Sequence, residues 1–142
     1  MKKVVIVYWS GTGSTEAMAK AVAEGAKQNN TEVRVLSVDE ATVDDVKNAD
    51  LIGMGCPSMG GDELEELEME PFVASLERVI AGKPVVLFGS YGWGEGQWMK
   101  DWVARMNQWG AKVLGDGLIC KDMPKEKCLT ECQELGSVLS EA

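Results

Sequence analysis

Residues Tyr8 to Thr15 read YWSGTGST and join the apolar run VVIVY to a helix-like pattern that spans Ser14 to Gln28. Gly11 and Gly13 allow the backbone to approach a ligand closely, and the neighbouring Ser and Thr hydroxyls can bond to an oxyanion. The first amides of a helix lack intrahelical partners and carry partial positive charge. The stretch therefore predicts an anion site that needs no Lys or Arg.

The motif also narrows the class of anion. The Walker pattern G-x-x-x-x-G-K-[ST] is absent, and the dinucleotide pattern G-x-G-x-x-G fails because Glu16 stands where the third glycine belongs. We therefore expect a monophosphate. The alternative is an ordinary turn from strand to helix with a Ser or Thr N-cap. The expected phosphate ligands are Ser10, Gly11, Thr12, Gly13, Ser14 and Thr15.

Composition limits the classes of partner. The 142 residues include 23 acidic and 14 basic side chains, for a formal charge of -9. Nucleic acid and anionic membranes would be repelled, so basic proteins are the expected partners. No apolar stretch approaches the ~20 residues of a membrane span, and the N-terminal run is too short for a signal peptide. We expect a cytoplasmic protein with a single domain over residues 1–142.

Cysteine and histidine usage excludes several kinds of site. The four cysteines form no C-x-x-C pair, and histidine is absent. A zinc or iron-sulfur site therefore has too few ligands, and a catalytic triad that uses His is excluded. We expect all four to be buried, reduced thiols: Cys56, Cys120, Cys128 and Cys132.

Short apolar runs alternate with amphipathic stretches along the whole chain. Continuous apolar strands indicate burial on both faces, which is typical of a parallel sheet between helices in a three-layer α/β protein. The predicted strands are Val4–Tyr8, Val33–Val38, Leu51–Gly55, Val85–Gly89 and Leu118–Lys121. The predicted helices are Ser14–Gln28, Val43–Lys47, Pro71–Ile80, Gly96–Trp109 and Lys125–Leu139.

A second glycine-rich loop, CPSMGGDELEELEMEP, runs from Cys56 to Pro71 after the third predicted strand. Ligands of open α/β sheets bind beyond the carboxyl ends of the strands, so this loop is expected to meet the first. Met59 lies in a polar turn, where its polarisable thioether suits the face of a flat ring. Gly60 and Gly61 allow the peptide to change orientation between turn types. The alternative for Met59 is a side chain folded back on the core.

A third loop, GSYGWGEGQW, runs from Gly89 to Trp98 after the fourth predicted strand. It presents Trp93 between two glycines with no helical or strand face to bury it, so we expect Trp93 to cover a ligand. The acidic run from Asp62 to Glu70 is expected to be mainly a solvated face. Four other residues recur at helical spacing and are expected in the core: Trp98, Trp102, Met106 and Trp109.

The three loops together closely resemble those of the short-chain flavodoxins of anaerobic bacteria, and the match covers essentially the whole chain. The resemblance implies the flavodoxin-like fold, a three-layer α/β arrangement with helices on both faces of a five-stranded parallel sheet. Flavodoxin is itself the usual example of the strand order 2-1-3-4-5 with flavin mononucleotide (FMN) at the switch point. The resemblance therefore implies non-covalently bound FMN and one-electron transfer between redox partner proteins. Nothing in the sequence demands a dimer, so we expect a monomer.

Carried over by position, the resemblance gives each loop a role. The segment Ser10–Thr15 binds the phosphate, while Met59 and Trp93 lie on opposite faces of the flavin ring. The carbonyl of Gly60 receives the N5 proton of the neutral semiquinone, and Asp62 lies near the ring N3. The remaining contacts, with the pyrimidine edge and the ribityl chain, fall to Ser58, Ser90, Tyr91 and Gly92.

Two positions depart from the family pattern. The family loop usually reads SGTGNT, and Ser14 replaces its Asn, which shortens one phosphate contact but retains a hydroxyl. Related chains often carry Glu where Asp62 stands.

Three other functions share parts of this pattern. An FMN-dependent enzyme of the quinone reductase type would need a substrate pocket beside the ring, and no insertion supplies one. A phosphatase would pair Cys with Arg in its anion loop, but Cys56 precedes a different loop and no Arg follows nearby. A non-redox phosphate-binding module would bind no FMN.

Overall fold

The computed structural model describes residues 1–142 and shows strands alternating with helices along the chain. No helix combines the length and the apolar character that crossing a bilayer requires. The strands are β1 Lys2–Tyr8, β2 Thr31–Ser37, β3 Leu51–Gly55, β4 Pro84–Tyr91, β5 Lys112–Val113 and β6 Leu118–Lys121. The helices are α1 Ser14–Ala26, α2 Val43–Lys47, α3 Met69–Ala74, α4 Gln97–Gln108 and α5 Glu126–Ser140.

All the strands pair in parallel, in the order β2-β1-β3-β4, with β5 and β6 both paired to the free side of β4. The order 2-1-3-4-5 that the family resemblance implies is confirmed, and its fifth position is shared by two short strands. Gly115 and Gly117 lie between these strands with φ of 79° and 84°. The chain turns there, which interrupts the pairing and explains why the two-residue β5 gives no apolar run.

The third helix is shorter than predicted. It ends at Ala74, after which Leu76 N–H donates to the Val73 carbonyl and Val79 N–H donates to the Leu76 carbonyl. These bonds span three residues, so the chain continues as tight turns rather than as an α-helix. The other predicted elements differ from the observed ones by no more than two residues at either end.

The sheet lies between two apolar layers, as the three-layer prediction requires. Val5 and Val7 of β1 point into one layer, and Val4 and Ile6 point into the other, because successive strand residues face opposite sides. The first layer contains the predicted core residues of α4, of which Trp98, Trp102 and Met106 are buried and Trp109 is partly buried. The second layer is formed mainly by α1 and α5.

The expectation of four reduced thiols is wrong. Cys120 in β6 and Cys128 in the first turn of α5 form a disulfide, with an S–S distance of 2.05 Å. The chain reverses between them so that their Cα atoms lie 6.1 Å apart, and a sequence separation of eight does not reveal that proximity. Cys56 and Cys132 are free and buried, and burial raises the pKa of each thiol to about 12.

Helices α1 and α5 pack directly backbone to backbone through two glycines. A Cβ atom on Gly25 would lie 1.8 Å from the carbonyl oxygen of Gln133. A Cβ atom on Gly136 would lie 1.9 Å from the carbonyl oxygen of Val22. Any side chain at either position would therefore force the two helices apart.

The change Gly25→Ala is expected to lower the free energy of unfolding by roughly 1–3 kcal/mol, the usual cost of overpacking. The expected sign opposes helix propensity, which favours Ala over Gly by up to ~1 kcal/mol. Urea denaturation measures the change, with Glu134→Ala on the exposed side of α5 as the control. Equal or greater stability of Gly25→Ala would contradict the close helix contact.

Candidate cofactor site

The loops that follow β1, β3 and β4 meet at the carboxyl edge of the sheet and line a cavity of about 460 Å³. Small-molecule sites typically measure about 300–1,000 Å³. The predicted site residues that line it come from all three loops and are Gly11, Thr12, Ser14, Ser58, Met59, Ser90, Tyr91 and Gly92.

Helix α1 begins beside this cavity without a side-chain cap. Gly13 occupies the N-cap position with φ of 98°, so the alternative of a Ser or Thr cap is not what forms. The first intrahelical bond runs from Ala17 N–H to the Gly13 carbonyl at 3.0 Å. The amides of Ser14, Thr15 and Glu16 have no partner within the helix and are available to an anion.

Hydrogen bonds hold the three loops together. The hydroxyls of Thr15 and Ser90 lie 3.0 Å apart, and both residues are buried. Ser58 N–H donates to the Ser90 carbonyl at 3.0 Å. Within the first loop, Ser10 Oγ accepts Gly13 N–H at 3.1 Å. The first loop is therefore fixed to the third, and the third is fixed to the second.

The second loop turns tightly at its two glycines. Met59 and Glu63 exchange backbone hydrogen bonds of 2.8 and 2.9 Å, and Gly60 between them has φ of 50°. The Met59 side chain is 36% exposed and is not folded back on the core. Met59 also lines a second cavity of about 450 Å³, together with Gly60 and Gly61.

Asp62 and Trp93 belong to the second and third loops but line neither of the two cavities. The Asp62 carboxylate accepts hydrogen bonds from the Ser58 hydroxyl at 2.6 Å and from Gln97 N–H at 3.0 Å. The Trp93 side chain is 60% exposed and lies outside the lining of both cavities. Its neighbour Gly94 has φ of 89°.

Four further residues line the larger cavity and were not predicted: Trp9, Pro57, Asp122 and Met123. The Trp9 ring lies 3.0 Å from the position of a Cβ on Gly11, and Ser14 Oγ lies 3.6 Å from the Met123 sulfur. Asp122 N–H donates to the Tyr91 carbonyl at 2.7 Å. The loop after β6 also leaves the carboxyl edge of the sheet, so the rule that identified the other loops could have found it.

No basic side chain lines the cavity of about 460 Å³, and Asp122 is its charged residue. The buried Cys56 thiol, beside the second loop, accepts Glu65 N–H at 3.4 Å. Burial raises the pKa of Cys56 to about 12, so the thiolate that a phosphatase nucleophile requires does not form near neutral pH.

Glu65 is the one buried member of the acidic run, and it organises the last part of the second loop. Its side chain is 6% exposed, and its carboxylate accepts the N–H groups of Leu67, Glu68 and Met69 at 2.7–2.9 Å. Burial alone would raise the pKa of this carboxyl, but the three N–H donors outweigh burial and lower it. Glu68 in turn accepts the Trp9 Nε1–H at 3.2 Å.

An open parallel sheet with helices on both faces defines a doubly wound α/β protein, and proteins of this class bind ligands beyond the carboxyl ends of the strands. The sequence profile of the family described as Flavodoxin matches residues 6–136. The chain therefore belongs to the flavodoxin family. Flavodoxins bind FMN, so FMN is the cofactor of this chain, which is an electron-transfer protein rather than an enzyme.

Individual relatives match at nearly full length. A flavodoxin of Megasphaera elsdenii is 45% identical over 139 residues, which cover 98% of this chain and 99% of that protein. A flavodoxin of Clostridium beijerinckii is 43% identical over 135 residues, which cover 95% and 97% of the two chains. The solution structure of two-electron reduced M. elsdenii flavodoxin matches with a TM-score of 0.88 at 43% identity, covering 98% of this chain and 99% of that one.

The change Glu65→Gln is expected to destabilise the protein by roughly 1–3 kcal/mol at pH 7, because an amide cannot accept all three N–H groups. The folded-state pKa of Glu65 is lowered, so its contribution is present above the unfolded pKa and is lost as pH falls through the folded value. The difference in urea denaturation between the two proteins should therefore shrink below about pH 4. The exposed Glu66→Gln is the control, and a difference that does not vary with pH would contradict this role.

Proposed function

We propose that this flavodoxin carries one electron at a time at low potential between redox partner proteins, with FMN alternating between its semiquinone and hydroquinone forms. The observation that carries the proposal is a single cavity that adjoins the uncapped start of α1 and also exposes the Met59 thioether. A phosphate suits the first feature, and a flat ring suits the second. FMN has both groups in one molecule.

We assign the phosphate to the first loop. The hydroxyls of Ser10, Thr12, Ser14 and Thr15 and the first amides of α1 would hold it, with Gly11 and Gly13 allowing close approach. The free amides at the uncapped start of α1 support this assignment, because they supply a favourable potential in a cavity that no basic side chain lines.

We assign the ring to the second and third loops. Met59 and Trp93 would cover its two faces, and the Gly60–Gly61 peptide would present a carbonyl to N5. Backbone amides near Tyr91 and Gly92 would meet the pyrimidine edge. Ser58 and Ser90 would lie along the ribityl chain, and their positions in the lining of the cavity support this.

The acidity of the chain supports a low potential for the second electron. That electron makes the ring anionic, and each carboxylate at ~10 Å opposes a negative ring by ~0.4 kcal/mol in water before screening. Because the chain has a formal charge of -9, the summed interaction of its charges with an anionic ring is unfavourable. The Trp93 side chain, by covering the ring and excluding water from it, would also lower the potential for the second electron.

Titration of the FMN-free protein with FMN, followed by reduction with dithionite, tests the function. We expect stoichiometric binding and a long-lived blue radical in the absorbance spectrum. Hydride-transferring behaviour without this radical would favour a quinone reductase. Absence of FMN binding would favour a phosphate-binding module.

The change Gly60→Ala is expected to reduce the maximum fraction of the blue radical, because Ala hinders left-handed turn conformations at that position. Loss of ~1 kcal/mol from the hydrogen bond to N5 would shift a one-electron potential by roughly 40 mV. The control is Gly82→Ala, since Gly82 also has positive φ and open space around its Cβ position but lies far from the cavity in sequence and fold. An unchanged radical fraction in Gly60→Ala would refute this role.

We propose that the partners present basic docking surfaces. The exposed carboxylates near the second loop, such as Glu63 and Glu66, support electrostatic association. Electron transfer to a basic partner, measured by stopped-flow absorbance, should slow as salt rises from low ionic strength to about 0.5 M. A rate that does not depend on salt would contradict electrostatic docking to a basic surface.

We further propose that the carrier acts as a cytoplasmic monomer with one domain over residues 1–142. One chain contributes all three loops to the cavity, which supports a monomer. Sedimentation at several concentrations tests the oligomeric state, and cell fractionation tests the location.

A further inference from the structure

Asp62 links the second loop to the start of helix α4. Its Oδ1 accepts the Ser58 hydroxyl at 2.6 Å, and its Oδ2 accepts Gln97 N–H at 3.0 Å. The Asp62 backbone is left-handed, with φ of 65°, a conformation in which Asp and Asn are the most common non-glycine residues. One side chain thus joins two loops that are 35 residues apart in sequence.

Helix α4 has no cap of its own, and Asp62 supplies an acceptor at its start. Its N-cap is Gly96, which carries no side chain, and its first turn contains no acidic residue. The first amides of a helix need acceptors, and a carboxylate there also interacts favourably with the helix dipole. Asp62 provides both from a different loop.

Gly94 of the third loop lies against the same carboxylate. A Cβ atom on Gly94 would lie 3.2 Å from Asp62 Oδ2, and Gly94 directly follows Trp93. On the other side, Asp62 lies inside the turn that the Met59–Glu63 backbone pair closes. Asp62 therefore adds a side-chain link between the loop of Met59 and the loop of Trp93, beside the backbone bond from Ser58 to Ser90.

We propose that Asp62 is a positioning residue that holds the two ring loops together and acts through Met59 and Trp93 rather than by contact with the flavin. This inference rests on the proposed function, because it assumes that the ring lies between those two residues. Both carboxylate oxygens of Asp62 are already engaged within the protein. Each oxygen keeps a further lone pair, so the positioning role rests on these two bonds and does not require the contact with ring N3 that the family resemblance implies.

Amide exchange in the FMN-free protein tests the link directly. Asp62→Gly removes both hydrogen bonds and keeps the left-handed backbone accessible, while Asp62→Asn retains an acceptor of the same size. By NMR, exchange at Gln97 is expected to rise roughly tenfold in Asp62→Gly and less in Asp62→Asn. Glu63→Ala removes a neighbouring exposed charge and should leave this exchange unchanged.

FMN binding tests the consequence of the link. Asp62→Gly is expected to weaken FMN affinity by roughly tenfold and to change the visible circular dichroism of the bound flavin. Asp62→Asn should return both towards the wild-type values. Gly82→Ala, which is strained at a remote turn, controls for loss of stability alone and should change neither.

The outcomes separate this inference from the proposed function. Wild-type exchange at Gln97 in Asp62→Gly would overturn the link, whatever happens to FMN affinity. Weakened FMN binding with wild-type exchange would assign Asp62 to direct contact with the flavin and would also overturn it. Failure of the wild-type protein to bind FMN would instead overturn the proposed function, and the exchange comparison would still decide the link.

Discussion

The uncapped start of helix α1 is the constraint on which the rest of the structure depends. Gly13 leaves the first amides of the helix free, so an anion can be held without a cation. This use of α1 requires β3 and β4 to end at the same edge of the sheet as β1. Their parallel pairing ensures that, because an antiparallel strand would send its following loop to the opposite edge.

Close packing at that edge brings the loops within hydrogen-bonding distance of each other. A Cβ on Gly89 would lie 2.1 Å from the Cys56 carbonyl oxygen, so only glycine at this position allows β4 to lie so near the start of the second loop. The same carbonyl accepts the Trp98 Nε1–H at 3.0 Å, which fixes α4 against β3. The loops can be glycine-rich and still well placed because buried groups beneath them determine their positions.

The sequence predicts most of the fold because buried strands and amphipathic helices carry their own periodicity. It fails where a structure depends on distant partners. The two-residue β5 is a strand only because it pairs with β4. The Cys120–Cys128 disulfide forms because the chain reverses between the two residues, and their spacing in the sequence does not predict that reversal. The three loops are predicted from glycines and hydroxyls near strand ends. Trp9 is missed because nothing in its local sequence marks its ring as lining the cavity. Met123 is missed because the same rule was not applied to the loop after β6, which also leaves the carboxyl edge of the sheet.

The turn from Met59 to Glu63 combines a movable half with a fixed half. Gly60 has a left-handed backbone and open space around its Cβ position, so no neighbouring side chain packs against this part of the turn. Asp62, two residues later, is held by Ser58 and by Gln97. Because the Met59–Glu63 backbone pair closes the turn, rotation at Gly60 stays local. The proposed presentation of the Gly60 carbonyl to the flavin would then need only this local movement, and movement of the whole loop would add reorganisation energy to electron transfer.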